Sequence, residues 1–151
     1  MNTLLKKLNF KTQESILILN SPSEFEIIAE DFSQYLGVRR ALDKKEIEFS
    51  LTFCTTLSEI ENRAPKIVEL LVEDGLLWFA YPKKSSKKYK CEFNRDNGWQ
   101  VLGDLGFEGV RMVAIDEDWS AIRFRRVENI KTLNRDQSWI MSEAGKKKAK
   151  K

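Results

Sequence analysis

ESILILNSPSEF, residues 14–25, decides how this chain is read. The run at 15–20 is short and continuously apolar, which suits a strand covered on both faces rather than one with a wet side. It ends at Asn20. Ser21 is a suitable N-cap, Pro22 fits the first helical position and Glu24 completes a capping box, so a helix is predicted through about Phe32. A covered strand running straight into a helix begins an alternation that the rest of the chain continues.

Before that strand, LLKKLNF (4–10) reads as a short amphipathic helix. After it, VRRAL (38–42) reads as an edge strand. In EIEFSLTFC (46–54), Ile47, Phe49, Leu51 and Phe53 alternate as in a strand. Thr56 and Glu59 form a second capping box, and Pro65 is expected to divide the helix that follows into segments near 57–63 and 65–73. EDG at 73–75 is expected to stop that helix, and LLWFAY (76–81) is an apolar, aromatic-rich strand. Asn94 is the expected N-cap of a helix presenting Trp99, Leu102 and Leu105 on one face and ending at Gly106. VRMVAI (110–115) and AIRFRRV (121–127) flank the tight connection DEDWS and predict an antiparallel hairpin. Strands alternating with helices imply an α/β fold: a Rossmann-like three-layer sandwich with a mostly parallel sheet and a C-terminal antiparallel hairpin. One such domain is expected over residues 1–128. Residues 129–151 form a polar extension with one apolar cluster, Trp139 to Met141, and a lysine-rich tail expected to be disordered.

The totals narrow the chemistry. The chain has 151 residues, the size of one domain with a real core. No apolar run is long enough to span a membrane and no signal peptide is visible, so a cytoplasmic protein with reduced Cys54 and Cys91 is expected. The formal net charge of +3 comes from 26 basic and 23 acidic residues. The tail GKKKAKK holds five of the lysines, leaving 21 against 23, so the body is slightly acidic and lacks the footprint of a dedicated nucleic-acid binder. The absence of histidine removes His-dependent triads, His-activated cysteines and most zinc sites.

In open α/β sheets ligands lie outside the carboxyl ends of the strands. That rule selects Asn20 and Ser21, Cys54 to Thr56, Tyr81 to Ser85 and Asp116 to Ser120. A dinucleotide or adenosyl cofactor needs glycines after the first strand. NSPSEF has none, and Glu24 and Glu26 would repel a phosphate there, so no cofactor is expected. WFAYPKKSSKKYK (78–90) carries Lys83, Lys84, Lys87, Lys88 and Lys90 beside Tyr89. Such a run can grip phosphates, but charge runs are usually solvated. Lys83 and Lys84, next to the strand end, are the exceptions expected to face the rim. Asp116, Glu117 and Asp118 could serve acid–base chemistry or a hard cation, but a hairpin turn explains them more simply. Trp119 could stack on a ligand, although packing at the strand start is the plainer reading. Cys54 reads as a buried structural thiol.

DGLLWFAYPKKSS (74–86) and VAIDEDWSAIRFRR (113–126), with NRDNGW (94–99) between them, resemble the signature segments of a family of small bacterial proteins known only as a domain of unknown function. The resemblance spans about residues 4–127. It implies a trimmed methyltransferase-type Rossmann domain without the glycine-rich cofactor loop, and it implies no reaction. Pro82, Lys83, Asp116, Trp119 and Ser120 match its motif positions. Together with the rim rule this makes Asn20, Tyr81, Pro82, Lys83, Lys84, Asp116, Asp118, Trp119 and Ser120 the candidate ligand-binding residues, with no catalytic or metal-binding residue assigned. The expected function is a non-catalytic binding module with a protein or small-molecule partner at this rim and no membrane association. The alternatives are an atypical S-adenosylmethionine-dependent methyltransferase-like enzyme and weak nucleic-acid binding through the lysine loop and tail.

Overall fold

The computed structural model describes residues 2–93 and 98–130. The short helix α1 (Thr3–Lys7) precedes strand β1 (Ser15–Leu19). A 3-10 turn (Ser23–Phe25) leads into α2 (Glu26–Phe32), and β2 (Gly37–Arg39) follows. Next come β3 (Ile47–Phe53), α3 (Leu57–Leu70) and β4 (Leu71–Pro82). The chain continues through α4 (Gln100–Asp104), β5 (Phe107–Ala114) and β6 (Trp119–Arg126).

The six strands form one sheet in the order β2-β1-β3-β4-β6-β5. β1 is parallel to β2 and β3, and β3 is parallel to β4. β6 is antiparallel to both β4 and β5, which lie on either side of it. The expected α/β sandwich with its antiparallel hairpin is therefore present, with the last strand inserted inside the sheet rather than added at its edge.

From β1 the chain steps one way to β2 and the other way to β3 and β4. Right-handed crossovers consequently put α2 on one face and α3 on the other. The face under α1 and α2 buries Phe25, Phe32, Phe49, Phe53, Trp78 and Trp119. The opposite face, under α3 and α4, buries Ile60, Ile67, Phe79, Phe93, Trp99 and Phe124. Burial on both faces accounts for the continuous apolar runs in β1 and β4. Among the described residues no helix is long and apolar enough to cross a membrane.

Three local expectations need correction. The Thr56–Glu59 capping box forms, but Pro65 lies within a single continuous helix. Proline leaves the carbonyl of residue 61 without its helical donor. Glu61 and Pro65 are both exposed, so water can serve that carbonyl while Ile60, Ala64, Ile67 and Val68 hold the opposite side in the core. EDG does not stop the helix either: Leu70 passes directly into β4, and the three residues form a bulge inside that strand. Ile47 pairs with Leu71 but Phe49 pairs with Leu76, two steps against five. Asp74 adopts φ 52° there, and its carboxylate receives Arg125 Nε and Nη2 from β6 at 2.8 and 2.7 Å. Finally, Ser21 and Glu24 form no capping box. The 3-10 turn has no side-chain cap, Ser21 Oγ donates to Glu26, and Glu24 turns to Tyr89 and Lys88. Partners brought by the fold displace the local pattern.

Gly106 ends α4 as expected, at φ 87°. The expected cap at Asn94, the Trp139 cluster and the lysine tail lie outside the described residues.

A prolyl residue in an exposed helix interior carries a cost that the unfolded chain only partly offsets. Pro65→Ala is expected to stabilise the protein by about 1–2 kcal/mol, read as a higher urea midpoint at unchanged slope. An unchanged or lower midpoint would show that the helix at 65 carries no such cost.

Candidate functional site

The rim at the carboxyl ends of β1, β3 and β4 is divided into a closed part and an open part. The closed part is the switch point between β1 and β3, where the strand order reverses. Asn20 follows β1 at φ 60°, a conformation that asparagine tolerates better than most residues. Its Nδ2 donates to the Phe53 carbonyl at 2.9 Å and to Glu59 Oε2 at 2.7 Å. One side chain thus ties the end of β1 to the end of β3 and to the first turn of α3. Burial raises the pKa of the Glu59 carboxyl, but hydrogen bonds from Thr55 and Thr56 outweigh it and hold the group below the usual carboxylate value.

The open part lies beyond β4. Lys83 N donates to the Asp118 carbonyl at 2.7 Å, extending the β4–β6 ladder by one step. Ser86 Oγ donates to Asp118 Oδ1 at 2.8 Å and accepts from the backbone N–H of Tyr89 at 3.0 Å. The segment then returns to α3, where Glu92 N donates to the Thr55 carbonyl at 3.1 Å and Glu92 Oε2 accepts from Leu57 N at 2.9 Å. Between these two tethers a cleft of about 770 Å³ opens. Tyr81, Pro82 and Phe93 give it an apolar floor, and Lys83, Lys84 and Lys90 supply its cationic lining. Ser86, Tyr89 and Ser120 also line it.

Of the residues selected from the sequence, Tyr81, Pro82, Lys83, Lys84 and Ser120 meet in this cleft. Asn20 sits apart at the closed switch point. Asp116 builds the hairpin turn: its Oδ1 accepts from the backbone N–H of Asp118 and of Trp119, each at 2.8 Å. Asp118 is held by Ser86. No ion pair joins Lys83 to Asp116 among the described residues, and no group of three or more acidic or cysteine side chains there could hold a metal ion. Trp119 is buried against Phe53, with ring centroids 5.0 Å apart. Phe93 and Glu92 were not selected, because only the return path of the loop places them; nothing in their spacing shows it.

The lysine run is also divided. Lys88 Nζ lies 3.4 Å from Glu24, whose carboxylate accepts the Tyr89 hydroxyl. The Tyr89 hydrogen bond is the largest influence holding Glu24 below the usual carboxylate value. Lys84, Lys87 and Lys90 are exposed, and Lys83 is half-buried. Burial pushes the Cys54 thiol up to about 12, leaving it protonated and inert at neutral pH. Cys91 is half-buried, and its pKa is also raised by burial.

No protein-family model and no curated protein matches the chain. Solved structures do resemble it. One is the crystal structure of a fibrillarin/Nop5p complex, at 15% identity and TM-score 0.47, covering 82% of this chain and 78% of that one. Another is the N-methyltransferase NodS from Bradyrhizobium japonicum WM9, at 11% identity and TM-score 0.47, covering 82% and 91%. Likeness at this level concerns the course of the chain and assigns no residue a role.

Asn20→Ala removes a donor from two acceptors and should cost about 1–2 kcal/mol in chemical denaturation, since an unmade hydrogen bond at a partly buried acceptor costs about this much. Asn20→Asp should cost more, because it sets a carboxylate against the Phe53 carbonyl and Glu59; the reverse order would show that Asn20 does not close the switch point. With an aromatic disulfide reagent at neutral pH, Cys54 should react only after unfolding and Cys91 more slowly than in the unfolded chain. Labelling of Cys54 in the native protein, read by mass spectrometry, would contradict its enclosure.

Proposed function

We propose that the protein is a binding module that holds an anionic ligand, carrying a carboxylate or phosphate, in the cleft of Lys83, Lys84 and Lys90. The observation that carries this reading is the pairing of a cationic lining with an apolar floor, in a cleft whose nearby carboxylates are already engaged. Asp116 and Asp118 are bound to the hairpin and to Ser86, and Glu92 accepts from the first N–H of α3. Lys83, Lys84 and Lys90 face one lining carboxylate, Glu92, so the lining keeps a net positive charge. The same engagement speaks against catalysis. Ser86 is tied into the hairpin tether by Asp118 and by the backbone N–H of Tyr89, and Cys54 is held protonated.

A methyltransferase-like enzyme is the second reading, favoured by the layout of a mostly parallel sheet ending in an antiparallel hairpin. Against it stand the glycine-free loop after β1, the side chain of Asn20 across the switch point, and Glu24 at the entry to α2. Exposed Lys84, Lys87 and Lys90 would equally support weak contact with nucleic-acid phosphates.

Thermal unfolding distinguishes the three. A carboxylate- or phosphate-bearing compound present at 100 times its dissociation constant should add about 2.7 kcal/mol, a shift of several degrees. Lys83→Ala/Lys84→Ala should weaken that binding at least about tenfold, as expected from losing charge-assisted hydrogen bonds. S-adenosylmethionine should give no shift; a shift that survives in the double variant would favour the enzyme. A shift with short oligonucleotides that falls steeply with salt would favour nucleic acid. A flat panel would remove the small-ligand reading.

A further inference from the structure

Tyr89 lies at the crest of the segment from Lys83 to Phe93, between the tether at Asp118 and the tether at Thr55. Its side chain fastens that crest to the domain. The ring packs on Trp119 with centroids 4.9 Å apart, and the hydroxyl donates to Glu24, in the turn before α2. Beneath it the aromatic contacts continue inward. Trp119 meets Phe53 at 5.0 Å, and Phe53 meets Phe25 at 4.9 Å. Phe25 and Phe53 are almost wholly enclosed, whereas Tyr89 is half-buried, so Tyr89 is the outermost ring of the series. This series of tilted and edge-on rings sits at the carboxyl ends of the strands on the α2 face, where open α/β sheets hold ligands. It adjoins the lysine cleft, which Tyr89 also lines, but lies on the α2 face, whereas that cleft's Phe93 belongs to the core on the α3 face.

A second observation marks the position. Trp119 Nε1 is buried and has no acceptor among the described residues. Buried indole N–H groups normally find an acceptor, so an orphan donor calls for a physical reason. The phenol ring lies tilted at 54° against the indole and supplies none, because its hydroxyl is directed to Glu24.

We propose that Tyr89 is an intramolecular occupant of a second binding site, and that the site takes a flat aromatic molecule bearing a hydroxyl group, which displaces Tyr89. The chemistry is read from what Tyr89 does there. A ligand needs a ring to lie against Trp119 and a hydroxyl to donate to Glu24, and an acceptor reaching Trp119 Nε1 would add what tyrosine lacks. The Tyr89 side chain is held by one exposed hydrogen bond, one ring contact and Lys88 over its ring at 5.5 Å, while its backbone N–H stays on Ser86, so no covalent or deeply buried side-chain bond opposes its release. Tyr89 also lines the lysine cleft, but the test below reads Trp119 exchange rather than anion binding, so the two readings fail separately.

The test uses p-cresol, the tyrosine side chain as a free molecule, and the indole N–H signals of the folded full-length chain, with Trp119 assigned through Trp119→Phe. In Tyr89→Ala, the Trp119 indole proton should exchange with solvent at least about tenfold faster than in wild type, with Trp78 and Trp99 unchanged, because only the covered ring is released. Millimolar p-cresol should restore slow exchange in that variant. Toluene, which has no hydroxyl for Glu24, should restore it less. In wild type, p-cresol should shift the Trp119 signal in a saturable way as it displaces Tyr89. Unchanged exchange in Tyr89→Ala, equal rescue by toluene, or a wild-type signal that never moves would each overturn the proposal. If Tyr89→Ala does not fold, Tyr89→Phe keeps the ring and loses the bond to Glu24. It should speed Trp119 exchange measurably, and no change there would refute the latch.

Discussion

Backbone pairing of β4 is the constraint on which the rest of the molecule depends. From Gly75 to Pro82 this strand is buried, so each of its N–H and C=O groups needs a partner within the protein. β3 supplies one side and β6 the other. Because β6 follows β5 by a tight turn, it can pair with β4 only by running antiparallel between the two. That insertion brings the turn at Asp116–Asp118 to the rim where β4 ends. Asp118 is therefore available to Lys83 and Ser86, and the lysine segment begins its course from a fixed point.

The same pairing explains why the usual ligand position is shut and another is open. Strand order reverses between β1 and β3, where an open α/β sheet ordinarily leaves a crevice. Asn20 spans that crevice, and the Thr56–Glu59 capping box supplies one of its two acceptors. A helix cap and a rim closure thus share one carboxylate. After β4 the segment from Lys83 to Phe93 makes a detour over the rim, tied down at Asp118 and at Thr55. The cleft is the space that this detour encloses.

Elements whose signals are local were legible in the sequence. The Thr56–Glu59 box, the glycine stop at Gly106 and the alternation of covered strands with helices read correctly because their partners lie within a few residues. The pattern at Ser21–Glu24 is just as clear, yet it fails, because Glu24 meets Tyr89 and Lys88 some sixty-five residues away. Pro65 and EDG were read as breaks by the same local reasoning. The buried stripe of α3 and the Asp74–Arg125 pair across β4 and β6 overrule both. The candidate site divides in the same manner. Tyr81, Pro82, Lys83, Lys84 and Ser120 come together because strand ends determine where they lie. Phe93 joins them through the path of a loop, which no periodicity encodes.

The lysine-rich stretch after β4 is accordingly neither one binding patch nor one solvated run. Backbone pairing holds Lys83 to the rim, and Lys88 is drawn to the α2 side by Glu24. Lys84 and Lys90 flank the cleft between them. Tyr89 makes this partition possible, because its ring on Trp119 fixes which side of the crest faces the core. A segment with five cations in eight positions would otherwise repel itself and extend into solvent. Here the ring on Trp119 and the Glu24 carboxylate, together with the tethers at Asp118 and Thr55, fold it back on the sheet, so the arrangement of charge around the cleft follows from these contacts rather than from the number of lysines.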